Sequence, residues 1–189
     1  MKKNLITSVL FTIVTTVLLG VVYPLVITGL AQVIFPEKAN GQLVRRNGTV
    51  IGSRILAQPF TGTGFFHPRP SAAGNGYDAT NSGGSNLGPT NQKLMDRVAA
   101  DVATANAENP GALVPADMVT TSASGLDPDI SPASAEFQIP RVAKARGLSE
   151  DQLRKLVQEH TQDRQFGFFG EPRVNVLELN LALQDQPKK

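Results

Sequence analysis

Residues 4–36, NLITSVLFTIVTTVLLGVVYPLVITGLAQVIFP, contain no charged side chain. About 20 predominantly apolar residues in a helix are enough to cross the hydrocarbon core of a bilayer, so this stretch spans it with residues to spare. The chain therefore divides by expectation into an N-terminal transmembrane anchor, residues 1–36, and a compact domain, residues 37–189. A secretory signal peptide is the competing reading, since Lys2 and Lys3 form a basic start and Gly29, Leu30 and Ala31 a small-residue cleavage-like site. Its apolar region is usually only ~7 to 15 residues long, so the uncleaved anchor is preferred. Lys2 and Lys3 favour a cytoplasmic N-terminus. Lys38, Arg45 and Arg46 follow the span, but large C-terminal domains translocate largely regardless of such charges. The expected location is a bacterial inner membrane crossed once, with the domain extracytoplasmic, which means periplasmic in a Gram-negative cell.

Inside the span, Ser8, Thr12, Thr16 and Gly20 recur at every fourth residue. Helical periodicity lines them along one face, where a second helix can approach closely. They are carried as a candidate helix-packing face; the competing reading is that such residues are simply common in membrane helices. Tyr23 and Pro24 mark either a kink or the start of the outer interface.

Of 18 Lys and Arg against 16 Asp and Glu, the anchor holds only Lys2 and Lys3, leaving the domain formally neutral. A neutral domain argues against nucleic acid as a partner. With no Cys and two His, thiolate chemistry, iron–sulfur clusters and Cys-ligated zinc are excluded, and a His-based metal site has little to draw on.

Beyond residue 37, short apolar pieces alternate with runs rich in Gly, Pro, Ser and Asn, without repeats. The expected class is α+β. Asn47 and Gly48 between residues 43–46 and 49–51 predict a hairpin, because that pair tolerates positive φ at both central turn positions. Residues 58–72, QPFTGTGFFHPRPSA, hold too much Gly and Pro for a helix and predict an ordered loop pinned by Phe60, Phe65 and Phe66. Exposed aromatic and Arg side chains on such a loop suit recognition. Phe60, Phe65, Phe66, His67 and Arg69 are therefore a candidate partner interface, with internal packing as the alternative.

Three helices follow by pattern. Thr90 caps one running to about Asn106, with Leu94, Val98 and Val102 on the core face and a stop at residues 109–111. Ser131 and Pro132 open a second, which Pro140 should bend or interrupt and Gly147 should end. Ser149 with Gln152 forms a capping box, and Leu148 with Leu153 a hydrophobic staple, for a third. At the C-terminus a short strand passes into a helix that Asn175 and Glu178 can cap.

The motifs of catalysis are weak. Residues 61–66 resemble a potassium selectivity filter only faintly, and a filter needs several membrane helices around it. His67, Ser71 and Asp78 form a hydrolytic triad in composition alone. Arg141, Lys144 and Arg146 could meet a phosphate, but cations in a last helical turn are also expected from the helix dipole. Residues 148–152, Leu-Ser-Glu-Asp-Gln, look like the signature segment of ABC ATPases; Glu150 and Asp151 would repel phosphate, and the capping box explains the same residues.

Taken together, QxFTGxGFFH at 58–67, Pro70-Ser71-Ala72, SGGSNL at 82–87, SASGLD at 122–127, QIPRVAKAR at 138–146 and VNVLELNLAL at 174–183, behind a single N-terminal span, resemble the KdpC family of bacterial potassium-transporting ATPases over nearly the whole chain. The resemblance implies a non-catalytic accessory subunit. Its implied partners are a channel-like potassium-translocating subunit, a P-type ATPase subunit and a very small membrane peptide, within the lipid bilayer. The complex would use ATP with Mg to import K+, no cofactor being held by this chain alone. The resemblance also implies a catalytic chaperone that raises the ATPase subunit's affinity for ATP, with Ser149 and Gln152 as candidate nucleotide contacts. An extracytoplasmic domain cannot touch cytoplasmic ATP, so that effect would have to pass through the membrane subunits.

Overall fold

The computed structural model describes residues 1–186. These fall into two compact units, Met1–Val50 and the described residues from Ile51 onward.

The first unit begins with α1 (Lys2–Val17), passes through a π-helical turn at Leu18–Val22, and continues as α2 (Tyr23–Ile34). The π turn has an identifiable cause in Pro24. Proline lacks the N–H for an intrahelical bond, and its ring collides with the carbonyl four residues earlier, that of Gly20. The helix widens just upstream, and the Tyr23 N–H reaches the Leu18 carbonyl five residues back. What precedes Tyr23 and Pro24 within the helix is thus an inserted π turn. Lys2–Ile34 is long and apolar enough to cross a membrane, and the most apolar part of it is nowhere buried. A short helix α3 (Pro36–Ala39) follows, then strands β1 (Leu43–Arg46) and β2 (Thr49–Ser53), which pair as a two-stranded ribbon. Asn47 at φ 52° and Gly48 at φ 80° make the turn between them, the left-handed pair that the hairpin requires.

The second unit is built around a small antiparallel sheet and three helices. β5 (Arg173–Asn175) is its central strand, flanked by β3 (Asp129–Ile130) and β4 (Thr161–Gln162). Val174 lies opposite Ile130 on one side and Thr161 on the other. The helices are α5 (Pro132–Arg146), α6 (Glu150–Glu159) and α7 (Val176–Gln184). Their apolar faces meet in one core of Phe66, Ile130, Ala135, Ile139, Val142, Leu153, Leu156, Val157, Val174, Val176, Leu179 and Leu183.

Three of the helix caps are those the sequence signals. Ser149 and Gln152 form the reciprocal capping box of α6, and Leu148 packs on the core beside buried Leu153. Ser131 caps α5, and Gly147 ends it at φ 69°. Asn175 caps α7 by accepting from the Glu178 N–H, directly after strand β5.

Two expectations for α4 need correction. The helix after residue 90, α4 (Gln92–Glu108), is capped by Asn91 rather than Thr90, through the Lys93 N–H. An Asn carbonyl caps as well as a hydroxyl, so the two neighbours were equivalent by type. The proposed core face of α4 is only half buried, and Ala105 is its one fully buried residue. Of the two outcomes expected at Pro140 in α5, a bend or a break, the break does not occur: the helix runs on to Arg146.

Leu179, with no exposed surface, should be among the costliest truncations. Leu179→Ala is expected to lower stability by about 2 to 5 kcal/mol, against about 1 kcal/mol for Ser149→Ala at the exposed cap. Thermal unfolding of the detergent-solubilised full chain measures both, and equal losses would contradict this placement of the core.

Candidate functional site

The loop from Gln58 to Ala72 is too rich in Gly and Pro to satisfy its backbone with a regular ladder. Side chains from two helices do so instead. From α7, the Asn180 amide accepts the Phe66 N–H at 2.8 Å and donates to the Phe66 carbonyl at 2.8 Å. From α5, Gln138 treats the next residue the same way: its Oε1 accepts the His67 N–H at 2.7 Å, and its Nε2 donates to the His67 carbonyl at 3.1 Å. Each primary amide thus imitates a strand neighbour for one loop residue. Asn180 is wholly buried and Gln138 nearly so.

Arginines from the same helix hold the preceding turn. Arg141 donates to the carbonyls of Thr63, at 2.7 Å, and Phe65, at 2.9 Å, and to Gln138 Oε1 at 2.6 Å. Its Nε lies 2.9 Å from the Glu108 carboxylate, as an ion pair whose N–H vector misses the oxygen. Arg146 donates to the Gly64 carbonyl at 2.7 Å, and its guanidinium sits 4.7 Å from the centre of the Phe65 ring. Two of the three cations at 141–146 are therefore engaged with loop carbonyls, which answers the phosphate reading of that edge.

The five residues of the candidate interface separate. For Phe66 the interface reading gives way to its alternative, internal packing: it has no exposed surface and belongs to the core, because the amide clamp removes the penalty of burying its backbone. Phe60 and Phe65 are half buried, their rings 5.7 Å apart. Arg69 pairs with Asp127 at 2.9 Å. His67 Nε2 donates to the Gly62 carbonyl at 3.1 Å. The loop is chiefly an internally packed element, leaving a shallow cleft beside α4 lined by Phe60, His67, Tyr77, Asp101 and Glu108.

The remaining Gly-rich motifs converge by backbone contact. Gly83 N–H bonds the Ser124 carbonyl at 2.8 Å, and Ser71 Oγ bonds the Gly125 carbonyl at 2.6 Å. Gly125, at φ 66°, has Ala73 N and Gly83 O only 2.6 Å from where a Cβ would sit, so no other residue fits there. Ser71 is engaged at Gly125, and Asp78 at Thr80, so the hydrogen bonds of His67, Ser71 and Asp78 do not link them as a hydrolytic triad. Ser149 and Gln152 are exposed and bonded to each other, while Glu150, Asp151 and Glu136 surround Arg154. Within the apolar helix, Ser8 Oγ donates back to the Leu5 carbonyl at 2.9 Å. Thr16 lies against the face of Gly20, and Thr12 stands exposed on the same helix. Among the described residues no cluster of His, Asp and Glu is arranged to hold a metal.

Burial, then the charge of Arg141, pulls the His67 imidazole below its ordinary value, opposed by the Gly62 hydrogen bond and Glu108. Burial likewise lowers Arg141, with Glu108 opposing. For a base whose folded value is depressed, the unfolded chain takes the proton first. This contribution is therefore nil above the ordinary value near 6.5 and becomes a loss of stability as pH falls below it. Melting temperature should decline between pH 7 and pH 5, and His67→Gln should flatten that decline. Asn180→Leu keeps the volume but orphans two buried backbone groups. It should cost about 2 to 6 kcal/mol, with hydrogen exchange at the Phe66 amide speeding first.

Sequence comparison relates this chain to known proteins. The profile of the KdpC family, described as the K+-transporting ATPase c chain, matches residues 5–185. A protein of Koribacter versatilis named potassium-transporting ATPase KdpC subunit is 70% identical, over 97% of this chain and 95% of its own. KdpC subunits of Rhodospirillum rubrum, 62% identical over 90% of each chain, and Acidobacterium capsulatum, 60% identical over 96% of this chain and 97% of its own, are similar throughout. With a family match over nearly its entire length and relatives this close, the chain belongs to the KdpC family, the c chain of K+-transporting ATPases.

Proposed function

We propose that this chain is a non-catalytic accessory subunit of an ATP-driven potassium import complex, anchored by one membrane helix with its domain on the extracytoplasmic side. The observation that carries the reading is the 33-residue helix Lys2–Ile34, with a mean hydropathy of 2.4 over its most apolar window and no burial there. Such a surface needs lipid or other helices around it. The relatives' name, potassium-transporting ATPase KdpC subunit, supports assembly with the subunits that move the ion and hydrolyse ATP: a channel-like translocating subunit, a P-type ATPase subunit and a small membrane peptide. ATP, Mg and K+ are used by those subunits.

Assistance to the ATPase subunit is then a coupling free energy transmitted through the assembly. Support comes from the α6 N-terminus, where Ser149 and Gln152 satisfy each other and Glu150 and Asp151 add negative charge. A helix start so occupied is a poor seat for a nucleotide phosphate.

The Ser8, Thr12, Thr16 and Gly20 face is the proposed packing surface within the membrane. Thr16→Leu combined with Gly20→Leu should weaken assembly. The expected result is a clear drop in P-type ATPase subunit recovered with the tagged chain from detergent-solubilised membranes; full recovery would remove the packing face. Orientation is tested separately by Ser149→Cys in intact cells, where a membrane-impermeant maleimide should label it. Labelling only after the inner membrane is opened would favour the alternative, a cytoplasm-facing nucleotide-binding regulatory domain contacting ATP through residues 148–152.

A further inference from the structure

The turn between β4 and β5 carries three phenylalanines that the core does not take up. Phe166, Phe168 and Phe169 are 87%, 66% and 58% exposed, on a domain whose other phenylalanines, Phe60, Phe65, Phe66 and Phe137, are buried or half buried. The turn is ordered. Gln165 and Phe169 exchange both backbone hydrogen bonds at 2.9 Å, Arg164 and Glu171 close its base as an ion pair, and the rings of Phe168 and Phe169 lie 4.2 Å apart.

Phe166 also holds φ 54°. A left-handed conformation is unfavourable for a bulky residue, and Asn or Gly would occupy it at lower cost. At 87% exposure the Phe166 ring gains little from packing within the described residues. Backbone strain of this kind clusters at sites that contact something outside the fold.

We infer that this turn is a protein-docking knob whose phenylalanines enter an apolar cleft on another subunit of the transport complex. The inference rests on the accessory-subunit reading above. The charge pattern selects the occupant. Asp163 and Glu171 balance Arg164 and Arg173 around the tip, Arg164 is paired with Glu171, and Arg173 lies 3.0 Å from Asp129. Lipid-binding loops gain from free cations facing anionic headgroups, and here the cations are engaged. An apolar centre within a rim of mixed charge is instead the anatomy of a protein interface. Area points the same way: three side chains at these exposures offer on the order of 400 Å², about half of what one partner gives to a stable two-body interface. The knob suits one anchor among several contacts in an assembly, rather than a free-standing complex.

The test uses the full chain expressed with the other subunits in native membranes. With Phe168 replaced by photoreactive benzoyl-phenylalanine, illumination should yield an adduct that mass spectrometry identifies as another subunit of the complex. The double variant Phe168→Ser with Phe169→Ser should lower recovery of the P-type ATPase subunit about tenfold or more, with the melting temperature unchanged. Phe166→Asn should separate docking from folding, keeping or raising thermal stability while lowering recovery. An adduct with lipid, an adduct with a second copy of this chain, or full recovery with the serine variant would each overturn the knob. If the unsubstituted chain recovers no ATPase subunit at all, the accessory-subunit reading itself fails, and the knob falls with it.

Discussion

Two buried carboxamides decide how this domain is built. A loop with the composition of residues 58–72 leaves backbone groups that no strand can pair, and burying them unsatisfied would cost on the order of 1 to 3 kcal/mol each. Asn180 and Gln138 meet that demand at consecutive residues from two different helices. Because each amide has one acceptor and one donor end, each fixes both the position and the direction of the backbone it grips. Phe66 can then enter the core from an irregular segment, and α5 and α7 are held in a defined relation to it.

The same helix that supplies Gln138 supplies Arg141 and Arg146, three and eight residues later, so one face of α5 organises the loop from Thr63 to His67. Arg141 is nearly buried, and three hydrogen bonds with the Glu108 ion pair balance its desolvation. The loop is thus tied to α4 as well, through a charge pair. His67 lies inside this arrangement, and its depressed basicity is a consequence of the packing.

The contrast between the two phenylalanine-rich turns is instructive. Phe65 and Phe66 follow Gly62 and Gly64 and are drawn inward by amides and arginines. Phe166, Phe168 and Phe169 are set among Gly167 and Gly170, but the partners that hold their turn are each other's backbone and an ion pair at its base. Similar residues in similar local sequence have opposite fates: side chains of α5 and α7 grip the first turn, while the second is closed by its own backbone and an ion pair.

Much of the architecture was legible in the residues themselves. The uncharged stretch, the Asn47-Gly48 turn, the Ser149 capping box and the strand-to-helix passage at Asn175 each depend on interactions a few residues long, which sequence spacing encodes directly. The π turn lay half visible in Pro24, whose missing donor demands an adjustment but does not say which. Asn91 in place of Thr90, the half-buried face of α4 and the burial of Phe66 were not readable. The first turns on a choice between neighbours of equal capping ability; the others depend on which surfaces meet. Asn180 and Gln138 sit 114 and 71 residues from the backbone groups they bind. No periodicity or motif links residues so far apart, so tertiary structure alone decided that the loop would be an internal strut, and that the exposed aromatic surface would lie at the turn between β4 and β5.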